Sequence, residues 1–132
     1  MGLGLAGERG RTWRGVFAVA LVGVLVLALK PGTATPELFP EADKVRHLAA
    51  FIVLWLIGAR ARVMPAWALA LGLLGFGLGI ELLQSFTPTR QASFADLLAD
   101  AVGIGLGWLL HRREQALARV PHQVGELKPP AT

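Results

Sequence analysis

The chain has 132 residues, of which 54% are hydrophobic and 17% charged, and its mean hydropathy is +0.54. A soluble domain of this size needs more polar surface to stay dispersed, so the composition excludes that class and indicates a single integral membrane domain. The net charge of +4 comes from basic residues spread over chain ends and short loops, with no basic face interleaved with aromatics, which speaks against nucleic-acid binding, and the absence of cysteine excludes disulfide and thiol chemistry.

Four apolar runs follow one another. The first covers residues 13–29 and closes at Lys30-Pro31-Gly32. The second covers residues 45–59, closes at Arg60 and Arg62, and is short enough that it should extend back into Asp43, Lys44 and His47. The third covers residues 65–86, with Pro65 suited to a first helical turn and Pro88 beyond its end. The fourth covers residues 94–110 and closes at His111-Arg112-Arg113. A helix needs about 20 residues to cross the hydrocarbon, so the expected fold is an all-α bundle of four transmembrane helices. Residues 1–118 form one domain and residues 119–132 a polar, proline-rich tail expected to be disordered.

Arg9 and Arg11 precede the first run and Arg14 stands at its start, Arg60 and Arg62 join the second and third, and Arg112, Arg113, Arg119 and Lys128 follow the fourth. All fall on one side of a four-span topology, which predicts cytoplasmic termini. The basic start, the apolar run and Gly32-Thr33-Ala34 also fit a cleaved secretory signal.

Glu81 ends a stretch, residues 63–80, that carries no charge. A carboxylate there lies at or inside a bilayer boundary, where ionisable groups face the bundle interior or a wet cavity. At 1.5 Å of rise per residue it sits about 7.5 Å from the end of the third run, and Asp100 about 9 Å into the fourth. His47 and Asp96 fall in the same layer. Asp43 and His47, Asp96 and Asp100 are four apart, and Glu81 and Gln84 three apart, so each pair shares a helix face. Arg90, in the short third loop, is within reach of Glu81 or Asp96. The expectation is one outward-opening polar pocket lined from three helices, involving Asp43, Lys44, His47, Glu81, Gln84, Arg90, Asp96 and Asp100. Gly75/Gly79 and Gly103/Gly107 form two G-x-x-x-G pairs that would let helices approach closely, within the bundle or in a homo-oligomer.

Each of these residues has a plainer reading. Ser93-x-x-Asp96 fits a capping box, and Asp43 suits a helix dipole. Lys44, Arg46 and Arg90 suit snorkelling anchors, His47 a satisfied interface histidine, and Gln84 an interhelical hydrogen-bond donor. Glu81 and Asp100 could form a structural ion pair or stay protonated against a neighbour. A metal site from His47, Glu81, Asp96 and Asp100 lacks H-x-x-x-H or E-x-x-H spacing and has Lys44 and Arg90 nearby, so no metal is expected. No P-loop or G-x-S-x-G is present, so no cofactor is expected either.

Three blocks together resemble the VanZ-like family of small bacterial membrane proteins. Asp43-Lys44-x-x-His47-x-x-x-Phe51 is similar to its D-K-x-x-H-x-x-x-F, Glu81-x-x-Gln84-x-Phe86 to its E-x-x-Q-x-F, and Arg90, Ser93, Asp96, Asp100 and Gly103 to R-x-x-S-x-x-D-x-x-x-N-x-x-G. Asp100 stands where the family usually has asparagine. The resemblance runs from about Pro36 to Leu110. It implies a multi-pass protein of the bacterial cytoplasmic membrane and cell envelope with the first span retained, and the founding member is linked to teicoplanin resistance. Two functions are carried forward. One is binding of an anionic envelope lipid or lipid-linked ligand, with Lys44, Arg46 and Arg90 attracting the head group. The other is a membrane enzyme using His47 and Glu81 as an acid–base pair.

Overall fold

The computed structural model describes residues 2–30, 41–88 and 93–120. They form four helices, α1 (Gly2–Leu29), α2 (Ala42–Ala61), α3 (Ala66–Ser85) and α4 (Phe94–Ala118). The expected tail beyond Val120 and the Arg90 loop lie outside the described residues.

Two boundaries differ from expectation. α1 starts at Gly2 rather than at residue 13, and α4 continues past residue 110 to Ala118. The α4 extension, residues 111–118, is made largely of good helix formers such as arginine, alanine, leucine, glutamate and glutamine, whereas the α1 extension, residues 2–12, is helical despite four glycines. Reading helices only from apolar runs cuts them at the first charge. α2 stops where Arg62 enters the left-handed region (φ 49°) and its N–H bonds the Gly58 carbonyl. Pro65, extended at ψ 158°, then starts α3.

α1 from Ala6, α3 and α4 are long and apolar enough to cross a membrane. α2 is as long as α3, but Asp43, Lys44, Arg46, His47 and Arg60 lower its hydropathy. It is nonetheless the centre of the molecule: it packs against all three other helices, most extensively against α4, whereas α1 and α4 do not pack on each other.

The buried positions explain this pairing. In α2 they include His47, Phe51, Leu54, Trp55 and Gly58, and in α4 Asp96, Asp100, Gly103, Ile104 and Gly107. Both series step by three and four, the spacing of one helix face. The two helices run parallel. A Cβ built at Gly103 would lie 2.6 Å from the Leu48 carbonyl oxygen and 3.0 Å from the Phe51 Cβ, and one at Gly107 would lie 2.7 Å from the Trp55 Cβ. Missing side chains therefore set the α2–α4 distance. Gly75 and Gly79 have nothing within 4 Å of an added Cβ, so that pair frames no contact among the described residues. The glycine of α3 that does so is Gly77, whose Cβ would collide with the Asp100 carboxylate.

The bundle has two unlike ends. The starts of α2 and α4 and the ends of α1 and α3 meet at one end, the loop end. The start of α1, the α2–α3 turn and the end of α4 meet at the terminal end.

Candidate functional site

The loop end gathers the expected polar layer. His47 (7% exposed) and Asp100 (0%) are hydrogen-bonded at 2.9 Å, the imidazole N–H donating from Nδ1 to Oδ1. Parallel packing at fixed offset brings the starts of α2 and α4 level, and Gly77 leaves room for the carboxylate. His47 therefore takes Asp100 as its direct partner, where Glu81 was the partner weighed from sequence. The carboxylate fixes the imidazole's tautomer and leaves Nε2 for a ligand.

Glu81, 4% exposed, spans from α3 to α4. Its Oε2 accepts the backbone N–H of Ser93, the residue that caps α4, at 2.8 Å. In a capping box this N–H is taken by the residue three positions on, here Asp96. Glu81 takes it instead, and neither Ser93 nor Asp96 makes a side-chain cap bond. The other Glu81 oxygen, Oε1, and Asp100 Oδ2 are buried without a hydrogen-bond partner among the described residues. Gln84 donates to the Ala28 carbonyl at 2.9 Å, tying α3 to the last turn of α1, as the interhelical reading expected.

Asp96, freed from capping and 6% exposed, turns toward α2. One ligand atom each from Asp43, His47 and Asp96 lies within 4.8 Å of the others. This grouping could hold a divalent cation, with Asp100 orienting the histidine from behind. It differs from the set weighed by sequence, replacing Glu81 and Asp100 with Asp43. Arg46 already stands 3.9 Å from Asp43. Lys44 is paired with Glu41 on the exposed side of α2 and does not join the buried group. Arg90 lies outside the described residues.

A cavity of about 330 Å³ adjoins this cluster between α1, α2 and α3. Its polar wall is Asp43, Arg46 and His47, all in the first turns of α2. The rest of its wall is apolar: Leu27, near the loop end of α1 and largely exposed, Val24 of α1, Ile80 of α3, and, deepest along α2, Ala50 and Phe51. The expected pocket is thus divided. Asp43 and His47 reach the open slot, while Glu81, Gln84, Asp96 and Asp100 form the buried structure behind it. Sequence reasoning missed Gly77 and the participation of α1. Gly77 precedes Glu81 by four and Gln84 by seven, so the phase of those two polar residues picks it out over Gly75 and Gly79.

A family model described as VanZ/LLP1 matches residues 9–117. An uncharacterised protein of the fission yeast Schizosaccharomyces pombe is 32% identical over 102 residues, an alignment covering 73% of this chain. The match spans 62% of that relative's length, and its fungal source widens the bacterial setting that the resemblance implied. No solved structure matches. The match extends over all four helices and takes in the His47, Glu81 and Asp96 blocks, so the chain belongs to the VanZ/LLP1 family of membrane proteins.

Proposed function

We propose that this VanZ/LLP1 protein binds an anionic membrane lipid, or a lipid-linked ligand of the same chemistry, in the slot at the loop end. The observation that carries this reading is the slot's polarity gradient. Its charged and hydrogen-bonding residues sit at the membrane-boundary end of α2, and its deeper wall is aliphatic and aromatic. An acyl chain fits the deeper wall, while Arg46 and the Nε2 of His47 meet the head group. The volume lies at the low end of ligand pockets, about 300–1,000 Å³. In this reading α2 is the fourth span, its polar residues turned to the bundle and the head-group layer. Both termini lie on the cytoplasmic side, in line with the arginines of the terminal end. Where the host is a bacterium, the ligand belongs to the envelope.

The test is native mass spectrometry of the chain purified with its lipids. Ala50→Leu, which fills the slot without changing charge, should lose the retained lipid, and Arg46→Gln should lose the preference for anionic species. Lipid retention unchanged in both variants would sink the proposal.

The His47–Asp100 hydrogen bond supports a second reading, in which His47 works as an acid–base group on that lipid with Asp100 holding its tautomer. Conversion of the bound lipid to a product of different mass, abolished in His47→Gln, distinguishes reaction from binding.

A further inference from the structure

The terminal end holds a larger space that the loop-end site does not use. Because α1 and α4 do not pack on each other, a gap of about 1120 Å³ remains between them over the end of α2. Four arginines line it: Arg9 from α1, Arg60 and Arg62 from the α2 end, and Arg112 from α4. Among the described residues no aspartate or glutamate is on its wall, and Glu114 lies beside it, paired with Arg60. Arginines distributed along loops would satisfy an orientation signal alone, but these converge on one open cleft from three parts of the fold.

Two of the guanidinium groups are held in place. Arg60 donates to the Leu56 carbonyl at 3.0 Å and to Glu114 at 2.8 Å, and lies 5.8 Å from the centre of the Trp13 ring. Arg112 lies 5.0 Å from the centre of the Trp108 ring. Such stacking orients the planar fork that matches phosphate oxygens. Trp55, on the same wall and 2% exposed, has an indole N–H without an acceptor among the described residues. Glu114 offsets Arg60, but Arg9, Arg62 and Arg112 make no ion pair among the described residues, and like charges gathered around a partly apolar space are unfavourable unless an anion offsets them. Basic pockets between membrane helices are suited to phosphate-bearing head groups.

We infer that this cavity is a second binding site, for a phosphate-bearing anion presented either by a phospholipid head group or by a free phosphate compound. It is separate from the loop-end slot and does not depend on it. The wall of arginine and tryptophan would bind the phosphate through the guanidinium forks, with the apolar residues Leu69 and Met64 alongside any attached chain.

The experiment uses the full chain carrying Ala50→Leu, so that the loop-end slot is filled. It is placed in nanodiscs of phosphatidylcholine, with or without phosphatidylglycerol, and separately in detergent with inorganic phosphate. Binding is read by native mass spectrometry and by the shift in melting temperature. Retained phosphatidylglycerol supports a lipid source, and stabilisation by inorganic phosphate supports a soluble one. In either arm, Arg9→Gln combined with Arg112→Gln should weaken binding about thirtyfold. Those two arginines avoid the Arg60–Glu114 contact, and an unshifted melting temperature in anion-free detergent verifies folding. If neither probe binds, or if the double variant binds like its parent, the inference is wrong. Failure here leaves the loop-end proposal standing, because that slot is blocked throughout.

Discussion

The two ends of this bundle solve opposite problems with polar residues. At the loop end, two acids, a histidine and a glutamine are buried and pinned by neighbours: Asp100 and His47 by each other, Glu81 by the Ser93 N–H, Gln84 by the Ala28 carbonyl. At the terminal end, arginines surround open space, and the Arg60–Glu114 pair is partly exposed, at 34% and 53%. Buried polar groups are costly unless satisfied, and exposed pairs contribute little. The loop end should therefore govern whether the helices lock together, and the terminal end should matter little for stability.

Variants break this contrast in graded steps. Gly103→Leu should have the largest effect, because the obstructing Leu48 carbonyl is backbone and cannot move aside. A loss of about 3 kcal/mol or more is expected, read as loss of the folded bundle in a denaturant titration in detergent. Gly105→Leu, two positions away in open space, serves as its control. His47→Ala should cost about 3 kcal/mol by leaving the Asp100 carboxylate buried and alone. Asp100→Asn retains an acceptor for the histidine and should cost about 1 kcal/mol or less, which accords with the asparagine of the resembling family pattern. Glu81→Ala should cost about 1 kcal/mol, the usual value of a helix cap, and should speed amide exchange at the first turn of α4. Glu114→Gln, at the other end, should change stability by no more than about 0.5 kcal/mol in the same titration. If Glu114→Gln proved as damaging as His47→Ala, the contrast between the ends would collapse.

Much of this was legible in the sequence because depth in a membrane is nearly one-dimensional. An apolar run gives a helix, and distance from its end gives a layer, so His47, Glu81, Asp96 and Asp100 could be grouped at one level. Rotation about the helix axis was less legible. Layering could not decide whether His47 meets Glu81 or Asp100, since that depends on the parallel offset of α2 and α4. The G-x-x-x-G spacing singled out Gly75 and Gly79, whereas the buried face of α3 runs through Leu73, Gly77, Ile80, Glu81 and Gln84. A spacing motif carries no phase, and the polar residues on the same helix supply it. The terminal cavity was not legible, because it depends on α1 and α4 staying apart, and the arginines around it read as orientation signals when taken along the chain.

The central claim, that the loop-end slot holds the chain of an anionic lipid, is tested most directly by photocrosslinking. Phosphatidylglycerol bearing a photoactivatable group on one acyl chain would be incorporated with the protein into nanodiscs, and the labelled peptides mapped by mass spectrometry. Labelling concentrated on Val24, Ala50 and Phe51, and lost in Ala50→Leu, is the predicted result. Labelling spread evenly over the exposed faces of α1 and α3, with these three positions no stronger than Val19, Leu27 or Leu71, would contradict it.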